Sequence, residues 1–78
     1  MENIQFQTRI SQDPAIMTGK PCIRDTRIPV DLILRKLAAG ESREQLLADY
    51  SRLESADLDA ALAYAAAVIS GERLIAAE

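Results

Sequence analysis

Residues Ala60 to Ile69 read AALAYAAAVI, ten positions without a charge. In a chain of 78 residues this segment restricts the architecture more than any other. Alanine is the strongest helix former. Ser55 precedes the segment as a helix N-cap type, and Asp57 and Asp59 follow it near the positive end of the helix dipole. Leu58, Ala61, Leu62, Ala65, Val68 and Ile69 recur at helical spacing, which predicts the stripe that faces the core. The other side, with Ala60, Tyr64 and Ala67, is apolar too. A helix that is apolar all round needs cover all round, whereas a domain of this size buries only about 60–65% of the surface its unfolded chain exposes. Two readings follow. Ala60, Tyr64, Ala67 and Val68, continued by Leu74 and Ile75, form an interface for a partner or a second copy, or the alanines are helix formers on an ordinary surface.

The rest of the chain supplies partners for that helix. Val30, Ile33, Leu34, Leu37 and Ala38 fit one helical face, opened by Pro29 and Asp31 and closed by Gly40 as a C′ residue. Ser42 with Gln45 three residues on is a capping-box signature for a helix running to about Tyr50, with Leu46, Leu47 and Tyr50 on its apolar side. Ser51 to Glu54 reads as a turn, and Gly71 as the end of the last helix. Towards the N-terminus, Ile4, Phe6, Thr8 and Ile10 alternate with polar residues, which predicts a half-buried strand. Asp13-Pro14 and Gly19-Lys20-Pro21 mark turns, and Cys22-Ile23-Arg24 a second short strand. The expected order is a ribbon and basic turn segment over residues 1–28, three helices over 29–70 and a tail over 71–78, all in one domain.

Composition excludes much chemistry. Without His there is no Ser-His-Asp triad, no Cys-His dyad and no His-based metal site. One Cys forms neither an internal disulfide nor a Cys-rich zinc site, and it suits a reducing compartment, the cytoplasm. MENIQFQTRI lacks the pattern of a signal peptide, and no long uncharged apolar run predicts a membrane span. Asp57 and Asp59, two apart on a helix, do not face each other, so no carboxylate pair for acid–base work is expected. The expectation is a protein that is not an enzyme, with no cofactor, no metal and no small-molecule substrate. Cys22 has two readings: a thiol activated by Lys20 and Arg24, or a buried structural thiol.

The net charge of −3 averages two unlike halves. Residues 1–36 carry +2 and residues 37–78 carry −5. A bipolar chain can offer one face to phosphates and another to a basic protein. Lys20-Pro21-Cys22-Ile23-Arg24-Asp25-Thr26-Arg27 places three cations in eight residues. Extended backbone with projecting Arg suits phosphate contact, while the alternative is that Arg24 and Arg27 pair with nearby acids such as Asp25 and Asp31. Residues 42–70 also have the size of a helix-turn-helix. The leading turn of its second helix carries Asp57 and Asp59 and no cation, a poor entry to a major groove, which favours a structural role for that helix.

The run Gly19-Lys20-Pro21-Cys22-Ile23-Arg24, then Thr26-Arg27-Ile28-Pro29-Val30, resembles the domain-of-unknown-function 433 family. Asp13-Pro14, Ala39-Gly40-Glu41-Ser42, Asp49-Tyr50, Leu53 and Asp57 to Ala65 extend the likeness across residues 10–66. The resemblance implies a mainly α fold, a three-helix homeodomain-like or winged helix-turn-helix bundle with a short N-terminal β ribbon. It also implies a VapB-type antitoxin, which neutralises a PIN-like ribonuclease toxin and binds operator DNA as an autoregulator. A homodimer is the expected state, because two-fold symmetry lets two weak, small sites act together. Lys20, Arg24, Thr26 and Arg27 belong to the motif, and with Arg43 they are the candidate DNA contacts. Asp25 stands where the family usually has Gly, and Ser51 where Pro is common. If the first position needs a positive φ, Asp tolerates it less well than Gly. The alternatives are a free-standing DNA-binding regulator and a dimerisation module without nucleic acid.

Overall fold

The computed structural model describes residues 8–71. The expected strand residues Ile4 and Phe6, and the interface residues Leu74 and Ile75, lie outside this range. Two short strands, β1 (Ile10–Ser11) and β2 (Cys22–Ile23), pair antiparallel, with Ile10 opposite Ile23 and Ser11 opposite Cys22. Three helices follow: α1 (Val30–Ala38), α2 (Arg43–Asp49) and α3 (Ser55–Ser70). The sequence predicts this order. It also places Thr8 in a strand with Ile10, whereas Thr8 and Arg9 have helical backbone. Thr8, expected on the buried face, is exposed, and Arg9, expected on the outer face, is partly buried against the acids that open α3.

Between the strands the chain makes a tight turn at Met17–Gly19. Met17, Thr18 and Gly19 all take left-handed φ values, of 51°, 54° and 86°. Gly adopts such values freely, but a β-branched Thr there is strained.

After β2 the backbone folds back at once. The Ile23 N–H donates to Ile28 O at 2.9 Å and the Val30 N–H to Pro21 O at 2.9 Å. Cys22 thereby forms an antiparallel bridge with Pro29. The reversal turns at Asp25, with φ 64°. Thr26 locks it: its hydroxyl donates to Ile23 O at 2.6 Å and accepts from the Ile28 N–H at 3.0 Å. Pro29 caps α1 in extended conformation, and Val30 opens the helix. The motif that carries the family resemblance is therefore, in this chain, a folding device that delivers α1 to the ribbon.

The helix ends follow local chemistry. Gly40, at φ 97°, follows the α1 C-cap Ala39. Ser42 Oγ accepts from the Gln45 N–H at 3.0 Å. The Gln45 side chain donates forward to Asp49 at 2.9 Å, so the expected capping box is only half made. The third cap shifts by one residue. Glu54, not Ser55, is the N-cap of α3, and its N–H donates to the Asp57 carboxylate at 2.9 Å. Gly71, with φ 80°, ends α3.

One apolar cluster joins the ribbon to all three helices. It contains Ile10, Ile23, Val30, Ile33, Leu46, Leu53 and Leu58, closed by Ala60, Ala61 and Ala67. Ile28, Leu34, Leu37, Leu47, Tyr50 and Tyr64 pack around it. The alanines of α3 let α1 and α2 approach its backbone. This redraws the predicted faces of α3 in part, since Leu58 and Ala61 are buried as expected. Ala60 and Ala67, expected on an interface, are buried in the core, and Tyr64 packs against it. Leu62 and Ile69, expected in the core, are 45% and 84% exposed, and Val68, expected in both the core stripe and the interface, is 50% exposed. The physical reason is the absence of any polar face: with apolar side chains all round, close packing picks the small residues for the crowded side. No helix among the described residues is long and apolar enough to cross a membrane.

Candidate functional site

The Asp25 turn stands between two open depressions. One, of about 330 Å³, is lined by Thr8, Arg9, Ile23, Arg24, Asp25, Thr26, Arg52, Glu54 and Asp57. The other, of about 520 Å³, is lined by Ile16, Asp25, Thr26, Arg27, Ile28 and Arg52. Arg52, in the turn between α2 and α3, lines both and donates from Nη2 to Asp25 O at 2.6 Å. That bond holds the motif turn against the helical bundle.

The cations divide by what they touch. Arg9 Nη1 lies 2.9 Å from Asp57 Oδ1 and 3.0 Å from Glu54 Oε1. Its guanidinium is held above its ordinary pKa, first by the hydrogen bond to Asp57 and then by that to Glu54. Lys20 pairs with Asp31 at 3.4 Å, and Arg35 approaches the same carboxylate at 3.6 Å. Lys36 pairs with Glu41 at 3.2 Å, and that hydrogen bond raises its pKa. Arg43 pairs with Asp59 at 3.1 Å and also donates to Ser55 O and Oγ. Arg24 donates from Nε to Thr8 O at 2.7 Å and from Nη2 to Ile10 O at 3.4 Å, bracing β1 through neutral carbonyls. Arg27 and Arg52 pair with no carboxylate among the described residues.

Of the sequence candidates, Arg24, Thr26 and Arg27 thus meet at one turn. Lys20 and Arg43 sit elsewhere, each against an acid. Thr26 spends its hydroxyl on the turn itself. Arg9 and Arg52 complete the site and were not among the expected residues. Arg9 read as the polar half of an alternating strand and Arg52 as turn filler. Their partners lie 48 and 27 positions away, and nothing local signals either.

The two acids of α3 differ. Asp57 is 5% exposed and serves as both cap and partner of Arg9, while Asp59 is exposed and faces Arg43. Among the described residues no three His, Cys, Asp or Glu side chains gather where a metal ion would fit. Burial raises the pKa of the Cys22 thiol, with the Lys20 charge acting weakly the other way. Of the two readings of Cys22, the buried structural thiol is the one observed.

A small helical domain, built on a folded-back ribbon and carrying an arginine-lined turn, is the class these elements define. Residues 10–65 match the family described as "Protein of unknown function (DUF433)", and the chain belongs to that family. A solved structure of a DUF433 member protein from Anabaena variabilis ATCC 29413 is similar, with a TM-score of 0.71 and 36% sequence identity. The likeness covers 78% of this chain and 60% of that protein's length. No curated protein matches the chain.

Proposed function

We propose that this chain is the antitoxin of a type II toxin–antitoxin pair, which neutralises a PIN-like ribonuclease and binds operator DNA to regulate its own expression. The observation that carries the reading is the outer face of α3. Leu62, Val68 and Ile69 stand exposed along a helix without a charge from Ala60 to Ser70. An apolar helix face set in an acidic half-chain suits a basic partner protein with an apolar contact centre. The docking surface is therefore Leu62, Val68 and Ile69, which keeps Val68 of the expected interface and gives up the buried Ala60 and Ala67 and the core-packed Tyr64. The homeodomain-like bundle is, on this reading, a scaffold whose opening acids keep α3 out of a DNA groove.

Co-expression with the product of the adjacent reading frame tests the proposal. The expected outcome is a stable complex with ribonuclease activity suppressed. A ribonuclease that stays active and unbound with this chain in excess overturns it. A free-standing DNA-binding regulator is the second reading, favoured by the two arginines that no described carboxylate neutralises.

A further inference from the structure

We infer that the Asp25 turn is a binding site for the phosphodiester backbone of nucleic acid, with Arg27 and Arg52 as its phosphate contacts. The inference deepens the DNA-binding half of the proposed function and rests on it only for the identity of the target.

The argument is one of charge placement. Phosphate contact needs cations whose charge is not already satisfied, because each contact gains from displacing counterions. A cation locked to a carboxylate brings little net field. Lys36 and Arg43 are in that condition, Arg9 faces two acids at once, and Lys20 and Arg35 both lie against the carboxylate of Asp31, whereas no ion pair among the described residues joins the Asp25 carboxylate to Arg27 or Arg52. Arg27 is exposed and Arg52 is exposed, and neither has a described acid to neutralise it. They line the same depression, together with Thr26 and Ile28. Arg52 spends one N–H on a backbone carbonyl, which fixes its direction and leaves its charge intact. Arginine forks suit phosphate oxygens, and a braced fork loses less freedom on binding.

Asp25 is the opposing charge. It lines both depressions, and its backbone holds Arg52. In the depression that Arg27 and Arg52 share, two cations stand with one carboxylate, a positive balance in a chain that is acidic as a whole. The site is a turn, so it contacts backbone and does not require a helix in the major groove. Contacts of this type position a protein and carry no sequence information.

The test uses the full chain and two probes: a 24-base-pair duplex of arbitrary sequence at low salt, and the DNA just upstream of its reading frame. The wild type is expected to bind the arbitrary duplex with steep salt dependence. Arg27→Ala with Arg52→Ala weakens it at least about tenfold and flattens the salt slope by about two. Arg27→Glu, at a side chain with no hydrogen bond or ion pair among the described residues, weakens it without loss of helix content. Arg52→Lys, which keeps the charge and loses the fork, binds more tightly than Arg52→Ala and less tightly than the wild type. Lys20→Ala with Arg43→Ala changes it less than twofold. No binding by the wild type, equal binding by the Arg27/Arg52 variant, or an equal loss in the Lys20/Arg43 variant overturns the site. Binding through Arg27 and Arg52 with no preference for the upstream DNA upholds the site and overturns the autoregulatory reading.

Discussion

The guanidinium of Arg9, from the segment that enters β1, lies 2.9 Å from the carboxylate of Asp57 in the first turn of α3. Asp57 also accepts the Glu54 N–H. One buried carboxylate thus caps α3 and fastens the N-terminal ribbon to it. Asp57→Ala is expected to cost about 1–2 kcal/mol through loss of the cap. Arg9→Ala lowers the melting temperature as well, because it leaves a buried carboxylate without its cation. The two losses are coupled: Arg9→Ala on the Asp57→Ala background does little more. Thermal melts of the single and double variants check this, and strictly additive shifts would show that the pair is not one unit.

Asp25 joins conformation to charge. Its φ of 64° is left-handed, where a residue with a side chain is about 1–2 kcal/mol less stable than in a right-handed turn, and Asp is among the types that tolerate it. Asp25→Gly is expected to leave stability unchanged or raise it, and Asp25→Val to lower it by at least about 1 kcal/mol. Asp25→Asn keeps a residue that accepts the turn and removes the negative charge. Its affinity for an arbitrary duplex at low salt is expected to rise severalfold. Denaturant titrations measure the first pair, and fluorescence anisotropy the second.

These residues also show where sequence reading succeeds. Gly40, Ser42 and Gly71 act on their own neighbours, so their types alone predict two helix ends and one start. The positive φ of Asp25 has a different source: the family resemblance, with Gly usual at that position, points to it, and the residue type alone does not. The link from Arg9 to Asp57 spans 48 positions and that from Arg52 to Asp25 spans 27. Such pairs exist only once the ribbon, the α2–α3 turn and α3 are packed together. The faces of α3 were illegible for a different reason. Leu58, Ala61 and Leu62 satisfy one stripe and Ala60, Tyr64 and Ala67 another, and hydropathy alone cannot rank two apolar stripes. Side-chain volume decides, through the room available beside α1 and α2.

The redrawn faces of α3 predict opposite outcomes at neighbouring positions. Ala60→Leu places three extra carbons in a closed core and is expected to cost about 1–3 kcal/mol. Leu62→Glu with Ile69→Glu acts on exposed side chains and leaves stability within about 1 kcal/mol. The same double variant is expected to abolish recovery of the partner protein in co-expression. A variant that unfolds would place Leu62 and Ile69 in the core, and one that still recovers its partner would move the docking surface elsewhere.

The buried thiol sets an alkaline limit to stability. Burial holds the pKa of Cys22 above its ordinary value. Below about pH 8.5 the thiol is protonated in both the folded and the unfolded chain and contributes no pH dependence. Above it, the unfolded thiol ionises while the folded one keeps its proton. The unfolded state then binds fewer protons, so stability falls as pH rises towards the folded-state pKa. The raised values of Tyr64, through burial, and of Lys36, through its hydrogen bond to Glu41, act in the same direction at higher pH. The window from about pH 8.5 to 9.5 therefore isolates Cys22. Melting temperatures across it are expected to fall for the wild type and much less for Cys22→Ala, whose starting stability is lower through the lost packing. Parallel curves for the two proteins would remove Cys22 as the cause.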